Sequence, residues 1–241
     1  MIISVDIELK ILDDLMQKII AKKFKVGEKL PSENELADQY RVPRTTVRRT
    51  LAKLEERGFI YSRRGVGRYI NNESFQVELN LNGKSSFTDK MKKSGHQLIT
   101  KNICCERIEF DQQIYDQLTA NSEDNIYKIS RLRFIQEEPI AIHTSYINQT
   151  VFPDIQEDGS HIQSMFAYYR QLGYTELINR NSLLSATFPT LTEQQLLSCK
   201  SMEPLIMIES NCVDASSAKI LEHTKVLYRS NKFKYNVSRD S

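Results

Sequence analysis

Apolar residues in the first part of the chain recur at helical spacing. Between Asp6 and Phe24 they lie about three or four positions apart with charged residues between them, which is typical of an amphipathic helix that buries one face. These apolar positions are Ile7, Ile11, Leu12, Leu15, Ile19 and Ile20. The pattern predicts a first helix over this segment.

Two further helices and a hairpin are predicted next. Ser32 stands three positions before Glu35, the spacing of a capping box, and this predicts a second helix from about Glu33 to Tyr40. After a short turn, the segment RTTVRRTLAKLEERGF carries an apolar stripe of Val47, Leu51 and Leu54, and Gly58 marks its end. The segment FIYSRRGVGRYI alternates apolar and polar residues around a glycine-bearing turn, which predicts a β-hairpin.

Three helices followed by a hairpin make a winged helix-turn-helix. In such a module the third helix lies in the major groove of DNA, and the hairpin tip approaches the backbone or the minor groove. The alternative is that the arginines merely solvate a helix face. However, cations at the start of a helix are disfavoured by its dipole unless an anion is present. The expected DNA-binding residues are Ser32, Glu33, Asn34, Arg44, Thr45, Thr46, Arg48, Arg49, Arg63, Arg64, Gly65, Gly67 and Arg68.

The distribution of charge agrees with a polyanionic partner. The whole chain has a net charge of only +2, but residues 1–70 carry 15 basic and 10 acidic side chains, a net of +5, which leaves −3 for the remainder. Residues 41–70 contain nine basic residues and two acids. A concentrated basic patch of this kind attracts nucleic acid.

The remainder of the chain predicts an α+β domain. Residues 71–84 lack a strong pattern and suggest a linker with one short strand, and a short helix begins at Ser85 and Ser86 and stops at Gly95. Alternating apolar segments predict strands at 98–109, 125–136, 139–148, 183–188, 205–213 and 219–228. Helices are expected near 111–120, 164–172 and 193–198. Most of these strands follow one another closely, which favours a mostly antiparallel sheet.

Length and composition are those of a soluble two-domain protein. The chain has 241 residues, 40% of them hydrophobic and 27% charged, and no apolar run approaches the roughly 20 residues that a membrane helix needs. The first residues lack the pattern of a secretory signal, so cytoplasmic residence is expected. Four cysteines, Cys104, Cys105, Cys199 and Cys212, lack metal-binding spacing and are expected to be buried, reduced thiols. Neither a cofactor nor a metal is expected.

The first 70 residues resemble a known DNA-binding domain. The string LPSENELADQYRVPRTTVRRTLAKLEERGFIYSRRGVGRYI is similar to that of the GntR family of bacterial regulators. Two positions depart from the family pattern, since Asn34 replaces an arginine that touches DNA and Pro43 replaces a small hydroxyl residue. These departures affect which half-site sequence is bound.

The C-terminal part resembles an effector-binding domain. The strings SSFTDKM, IYKISRLRF, EPIAIHTSYI and LEHTKVLYRSNKFKY are similar to the UTRA domain of the HutC subfamily, which shares its fold with chorismate lyase. The resemblance implies a phosphate site formed by Ser86, Phe87, Thr88, Arg131 and Arg133. It also implies ligand contacts from His143, Ser164, Phe166, Glu222 and Tyr228, although His143 replaces a glutamate of amino-sugar-responsive members and Phe166 a tyrosine.

Elementary geometry supports the anion site independently. Arg131 and Arg133 are two positions apart on a predicted strand and therefore share a face. Paired guanidinium groups beside a helix start with free amides can bind a phosphate or a carboxylate. The alternative is that both arginines form ordinary surface salt bridges with Glu137, Glu138 or Glu222.

Together these patterns predict a ligand-responsive transcription repressor, with a DNA-binding domain at 1–70, a linker at 71–84 and an effector-binding and dimerisation domain at 85–241. The resemblance implies control of a sugar or amino-sugar operon, a near-palindromic operator, a homodimer, and release from DNA by a small phosphorylated sugar or similar anion. Alternatives are a non-phosphorylated effector such as a carboxylate, a C-terminal domain that only dimerises, and an enzyme of the chorismate lyase type. The last has no need of a basic N-terminal module.

Overall fold

A computed structural model describes residues 6–71, 77–80 and 85–236. The described chain forms two compact units. The first contains 6–71 together with two short segments, 188–194 and 199–203, that sequence patterns did not anticipate, and the second contains the rest. Residues 72–76 and 81–84 of the predicted linker lie outside the described residues, as do the ends of the two predicted domains at 1–5 and 237–241.

The first unit is built on three helices and a hairpin. Its elements are α1 (Ile7–Ile20), α2 (Glu33–Tyr40), α3 (Arg44–Glu56), β1 (Ile60–Arg63) and β2 (Gly67–Ile70). The capping box at Ser32 and Glu35 is present, and β1 pairs with β2 in antiparallel register. Helix α1 is shorter than predicted, because the chain turns after Ile20 through Lys22 at a positive φ of 55°. The three helices and the hairpin share one apolar core, to which Leu15, Val47, Leu51 and Ile60 contribute.

A six-stranded antiparallel sheet forms the second unit, in the order β4-β5-β6-β9-β8-β7. Its strands are β4 (Leu98–Arg107), β5 (Ile126–Ile135), β6 (Glu138–Asn148), β7 (Leu177–Thr187), β8 (Leu205–Asp214) and β9 (Ile220–Arg229). Five of the six predicted strands agree within two residues. The prediction for β7 was wrong by six residues at its start, because this edge strand is exposed on both faces and therefore lacks alternation. The α+β class with a mostly antiparallel sheet is confirmed.

Four helices pack against this sheet: α4 (Phe87–Lys93), α5 (Gln112–Leu118), α6 (Ile155–Asp158) and α7 (Met165–Gln171). A fifth helix, α8 (Leu191–Leu197), follows β7, and its first residues belong to the first unit. Phe166 and Tyr169 of α7 join the main core of the unit with Tyr127 and Ile129 of the sheet. Tyr115 and other residues of α5 pack in a smaller cluster. Sequence patterns missed the short α6.

A separate parallel pair joins distant parts of the chain. Strand β3 (Val77–Asn80) pairs with β10 (Phe233–Asn236), beginning with the register Val77↔Phe233. The short strand expected within the linker is therefore present, but its partner was not predicted. Residues 77–80 are thereby held by the second unit.

All four cysteines are thiols. Cys199 and Cys212 are buried as expected, whereas Cys104 and Cys105 are only partly buried, which corrects the prediction for this pair. They lie on the edge strand β4 just after an irregularity in its pairing with β5, where one neighbouring strand covers them instead of two. Within the described residues no helix is long and apolar enough to cross a bilayer, and no cluster of potential metal ligands occurs.

Candidate nucleic-acid interface and ligand cavity

The start of α3 presents cations to solvent. A left-handed residue at Arg41 ends α2, and Pro43 begins α3 without a side-chain cap. Arg44, Thr45 and Arg48 are exposed, so their side chains are available at the N-terminal end of the helix. Thr46 faces the interior and is only 8% exposed, and its carbonyl accepts a hydrogen bond from the Thr50 hydroxyl. Helix packing therefore removes Thr46 from the accessible surface.

Glu33 lies at the centre of this basic surface. Its carboxylate is 2.8 Å from Arg44 Nε and 3.2 Å from Arg48 Nη2. The same carboxylate is 2.9 Å from Arg68 Nη1 on β2. Hydrogen bonds from Arg68, and then from Arg44 and Arg48, lower the pKa of Glu33 to about 2, so the acid is ionised at neutral pH.

Arg49 has a different partner from its neighbour Arg48. Its Nε lies 3.5 Å from Glu8 of α1, and Lys53, one turn further along α3, lies 2.7 Å from the same carboxylate. The structure therefore does not bring Arg49 together with the arginines around Glu33.

The hairpin tip is compact and cationic. Arg63 lies over the ring of Tyr69 at 4.7 Å and donates to the Tyr61 hydroxyl at 3.1 Å. Gly65 has a positive φ of 73°, which favours glycine in the tight turn. Arg64 is exposed beside it. Ser32 acts as the cap of α2, and Asn34 is exposed on the first turn of that helix.

A cavity of about 130 Å³ lies on one face of the six-stranded sheet. All ten predicted effector residues line it: Ser86, Phe87, Thr88, Arg131, Arg133, His143, Ser164, Phe166, Glu222 and Tyr228. They come from α4, α7 and the segments just before these helices, and from strands β5, β6 and β9. Ser86 and Ser164 cap α4 and α7, and each accepts a backbone hydrogen bond there.

Two buried guanidinium groups dominate the cavity. Arg131 and Arg133 are 3% and 2% exposed, and the Nε atom of each has no hydrogen-bond partner. Arg131 donates to Ser145 Oγ at 2.6 Å, while Arg133 donates to Thr100 Oγ1 and, at 2.8 Å, to the Gln163 carbonyl. Burial and the charge of Arg131 lower the pKa of Arg133 to about 9, so it stays charged at neutral pH at an energetic cost.

The surface salt bridges considered as an alternative are absent from the described residues. Neither Arg131 nor Arg133 forms an ion pair with Glu137 or Glu138, and Glu138 is 2.6 Å from Lys232 instead. Glu222 is buried beside the arginines and influences them only through its charge. Burial raises the pKa of Glu222, although the charge of Arg131 acts against this shift.

Aromatic rings line the cavity beside the arginines. The His143 ring lies 4.7 Å from Phe87 and 5.5 Å from Tyr228, measured between centroids. Burial and the charges of Arg133 and Arg131 lower the pKa of His143 well below its ordinary value. The imidazole is therefore neutral, and its buried Nε2 has no partner. Phe233 of β10 packs on Tyr228 at 4.6 Å behind these rings.

Sequence patterns missed several lining residues. Lys90 lies one turn after Phe87 on α4, and burial lowers its pKa. Ser145 shares the face of His143 on β6, so two-residue alternation was a usable signal. Small polar residues complete the wall: Ser85, Thr144, Asn179, Ser182, Ser210 and Thr224. Asn179 and Ser182 flank an irregularity in β7 that no local pattern indicates.

Comparison with known proteins covers almost the whole chain. Residues 8–70 match the model described as bacterial regulatory proteins, gntR family, and residues 93–234 match that of the UTRA domain. The HTH-type transcriptional repressor NagR of Bacillus subtilis is 25% identical over 96% of this chain and 93% of its own length. The mannosyl-D-glycerate transport/metabolism system repressor MngR of Escherichia coli is 22% identical over 95% and 93%.

A solved structure shows the same fold. The crystal structure of PhnF from Mycobacterium smegmatis superposes with a TM-score of 0.62 at 20% identity and covers 96% of this chain and 99% of its own. The UTRA match extends over more than half of the sequence, and the gntR match accounts for the helices and hairpin before it. The chain therefore belongs to the gntR family of bacterial regulatory proteins, in the HutC subfamily that carries a UTRA domain.

Proposed function

We propose that this chain is a homodimeric, cytoplasmic transcription repressor that binds near-palindromic operator DNA and releases it when a small phosphorylated sugar or similar anion occupies the cavity. The observation that carries the proposal is the pair of buried arginines, which form no salt bridge within the described residues and lie near a single buried acid, Glu222. A regulator whose cavity carries an excess of positive charge is suited to an anionic effector.

DNA binding is assigned to the exposed start of α3 and to the hairpin tip. Arg44, Thr45 and Arg48 are accessible and stand where a recognition helix presents side chains to base edges. Arg63, Arg64 and Arg68 supply positive charge on the hairpin for the phosphate backbone. Both sets lie in the compact first unit.

The anion follows from the cost of burying charge. A buried charge without a partner costs several kcal/mol, and a ligand that brings the opposite charge recovers much of that cost. The two arginines and Lys90 outnumber the single buried acid Glu222 around the cavity. A phosphate with its three oxygens can accept from both guanidinium groups at once, as fork-like donors prefer.

The rest of the cavity suits hydroxyl groups. His143 is neutral and offers an unpartnered buried nitrogen, and Glu222 offers a buried oxygen without a hydrogen-bond partner. Small Ser, Thr and Asn side chains surround them. A sugar presents alternating donors and acceptors to such a wall, and MngR, one of the relatives, is named for a system that handles mannosyl-D-glycerate. We therefore assign the neutral part of the effector to a sugar.

The effector response is assigned to the contact between the cavity and the β3–β10 pair. Phe233 packs on Tyr228 at 4.6 Å, and its backbone is paired with Val77 in β3. Residues 77–80 belong to the segment that leads to the DNA-binding unit. A ligand that shifts Phe87 and Tyr228 therefore has a route to that segment, provided that it binds two arrangements of the protein unequally.

Dimerisation is proposed because helix-turn-helix proteins read two half-sites with matching two-fold symmetry. Edge strand β7 exposes Leu183 and Leu184, at 69% and 51%, and a second copy would cover such apolar side chains. A particle mass equal to one chain at micromolar concentration, measured by light scattering with and without DNA, would contradict this part of the proposal.

We also propose that the chain is not an enzyme. The Ser145 hydroxyl accepts from Arg131 and interacts with the Glu222 carboxylate, and no described hydrogen bond joins it to the His143 nitrogen, so the described residues do not form a serine–histidine pair.

Calorimetric titration tests the proposal. We expect sugar phosphates to bind, inorganic phosphate to bind more weakly, and the matching free sugars not to bind measurably. The binding ligand should release a duplex that the protein has selected from genomic fragments. Sugar acids belong to the same panel, and binding of a carboxylate alone would replace the phosphate. If no anion binds, the result would favour the alternative that the C-terminal domain only dimerises.

A further inference from the structure

A single carboxylate joins the arginines of two elements that are far apart in sequence. Glu33 on α2 is 11 residues from Arg44 and 15 from Arg48, both on α3, and 35 from Arg68 on β2. The Glu33 side chain is only 15% exposed, whereas those of Arg44 and Arg48 are 56% and 57% exposed. Glu33 and Arg68, which is 21% exposed, are therefore the enclosed part of the group, and Arg44 and Arg48 are its outer part.

Helix α3 lacks an acid of its own at its positive end. Its first turn contains no Asp or Glu, and Pro43 provides no side-chain cap. Arg44 stands at this end, where the helix dipole repels cations. Glu33 supplies from α2 the negative charge that would otherwise have to come from a bound anion.

We infer that Glu33 is a positioning and specificity residue for DNA recognition, whose carboxylate orients Arg44, Arg48 and Arg68 in the free protein and weakens binding to DNA of arbitrary sequence. This inference rests on the proposed binding of operator DNA. It assigns Glu33 an action through the arginines rather than a contact of its own with DNA.

Competition between Glu33 and phosphate explains the specificity. Three guanidinium groups face Glu33 and, 3.8 Å from Arg68, Glu55, which leaves an excess of one positive charge, so the surface still attracts DNA. An arginine that leaves Glu33 for a phosphate loses a charge-assisted hydrogen bond and exposes the phosphate to a nearby carboxylate. The correct base edges repay that loss by accepting bidentate hydrogen bonds, and other sequences do not.

Among the described acids of the first unit, only Glu33 contacts all three of these arginines. Glu8 pairs with Arg49 and Lys53, whereas Glu55 accepts from the backbone amide and the hydroxyl of Ser62 and lies 3.8 Å from Arg68 alone. Asp38 provides a matched control, because it lies on α2, is exposed, and forms none of the contacts around Glu33. Five helical positions place Asp38 about 140° around the helix from Glu33.

The experiment compares full-length wild type with Glu33→Gln and Asp38→Asn. The specific probe is a duplex selected by the wild-type protein from a random library, and the non-specific probe is poly(dI-dC). Fluorescence anisotropy is measured from 50 to 300 mM salt. For Glu33→Gln we expect tighter binding to poly(dI-dC), a plot of log affinity against log salt that is steeper by about 0.9 for each chain of the dimer, and specificity lower by on the order of tenfold.

Asp38→Asn should retain the wild-type slope and specificity. Glu33→Asp keeps the charge on a shorter side chain, so we expect a wild-type salt slope with reduced specificity, and this variant carries the test if Glu33→Gln does not fold. An unchanged slope and unchanged specificity in Glu33→Gln would overturn the inference, as would an equal loss of affinity for both probes. Failure of the wild type to select any sequence would instead refute the proposed DNA binding.

Discussion

The molecule contains two groups of arginines, each beside a glutamate, and the two groups differ in their exposure to solvent. Around Glu33 two of the three guanidinium groups, those of Arg44 and Arg48, are accessible, direct hydrogen bonds form, and the pKa of the acid falls to about 2. Around Glu222 both arginines are buried, their Nε atoms lack partners, and burial raises the pKa of the acid. The same residue types thus make a hydrated surface that can exchange partners and a dry site that needs one.

Salt should weaken DNA binding at the exposed surface more than ligand binding in the buried cavity. Exposed cations that contact phosphates release counterions, so DNA affinity should fall by about 10³-fold or more between 50 and 200 mM salt if the dimer makes at least six phosphate contacts. The buried cavity is screened much less. Anisotropy for DNA and calorimetry for the sugar phosphate, in the same buffers, check this. An equally steep loss of ligand affinity would place the anion at the surface.

Removal of both buried arginines should abolish the effector response. We expect Arg131→Ala with Arg133→Ala to lose about 3 to 5 kcal/mol of ligand binding, because each cation contributes charge-assisted hydrogen bonds in a desolvated site. DNA affinity should persist, which gives a repressor that no longer releases its operator. Calorimetry and ligand-dependent DNA release measure the two effects. Wild-type release at unchanged ligand concentration would refute the phosphate site.

Single substitutions of the arginines around Glu33 should have a smaller effect on binding free energy. Arg44→Ala and Arg48→Ala should each lose about 1 to 3 kcal/mol of specific DNA binding, the usual contribution of a bidentate base contact. Arg63→Ala should weaken binding to all sequences alike. Arg49→Ala is the matched control on α3, because Arg49 pairs with Glu8. Footprints that remain unchanged in the first two variants would exclude α3 as the recognition element.

The link between the sites should depend on Phe233. Phe233→Ala removes the ring that packs on Tyr228, so we expect ligand binding to survive while part of a coupling of about 1 to 3 kcal/mol is lost. The ratio of DNA affinities with and without ligand measures that coupling. A ratio equal to that of the wild type would show that the β3–β10 pair does not transmit the response.

The smallest expected effect is the difference in stability between the wild type and Glu33→Gln at low pH. Because the pKa of Glu33 is about 2 in the folded protein and its ordinary value is 4.5, its contribution to stability is present above pH 4.5 and is lost as the pH falls towards 2. Glu33→Gln should lose less stability over that interval, by roughly 1 kcal/mol for a partly exposed cluster. Denaturant unfolding at several pH values tests this. Parallel pH profiles for both proteins would contradict the assigned interaction.

Local patterns in the sequence were sufficient for the elements and for much of the cavity. The capping box predicted the exact bounds of α2, and two-residue alternation placed Arg131 and Arg133 on one face of a strand. The resemblance to the UTRA domain then named ten residues that all line one cavity. These predictions rest on local patterns or on the family resemblance, so they do not require knowledge of the contacts between distant segments.

Tertiary structure decided everything that depends on contact between distant segments. It brought Arg68 to Glu33 and Ser145 to Arg131, buried Thr46, and paired β3 with β10. It also decided that the cavity arginines form no salt bridge among the described residues, whereas the surface arginines share one carboxylate. A sequence states which side chains can ionise, but burial and neighbours set the cost of the charge, and both arise only when the chain folds.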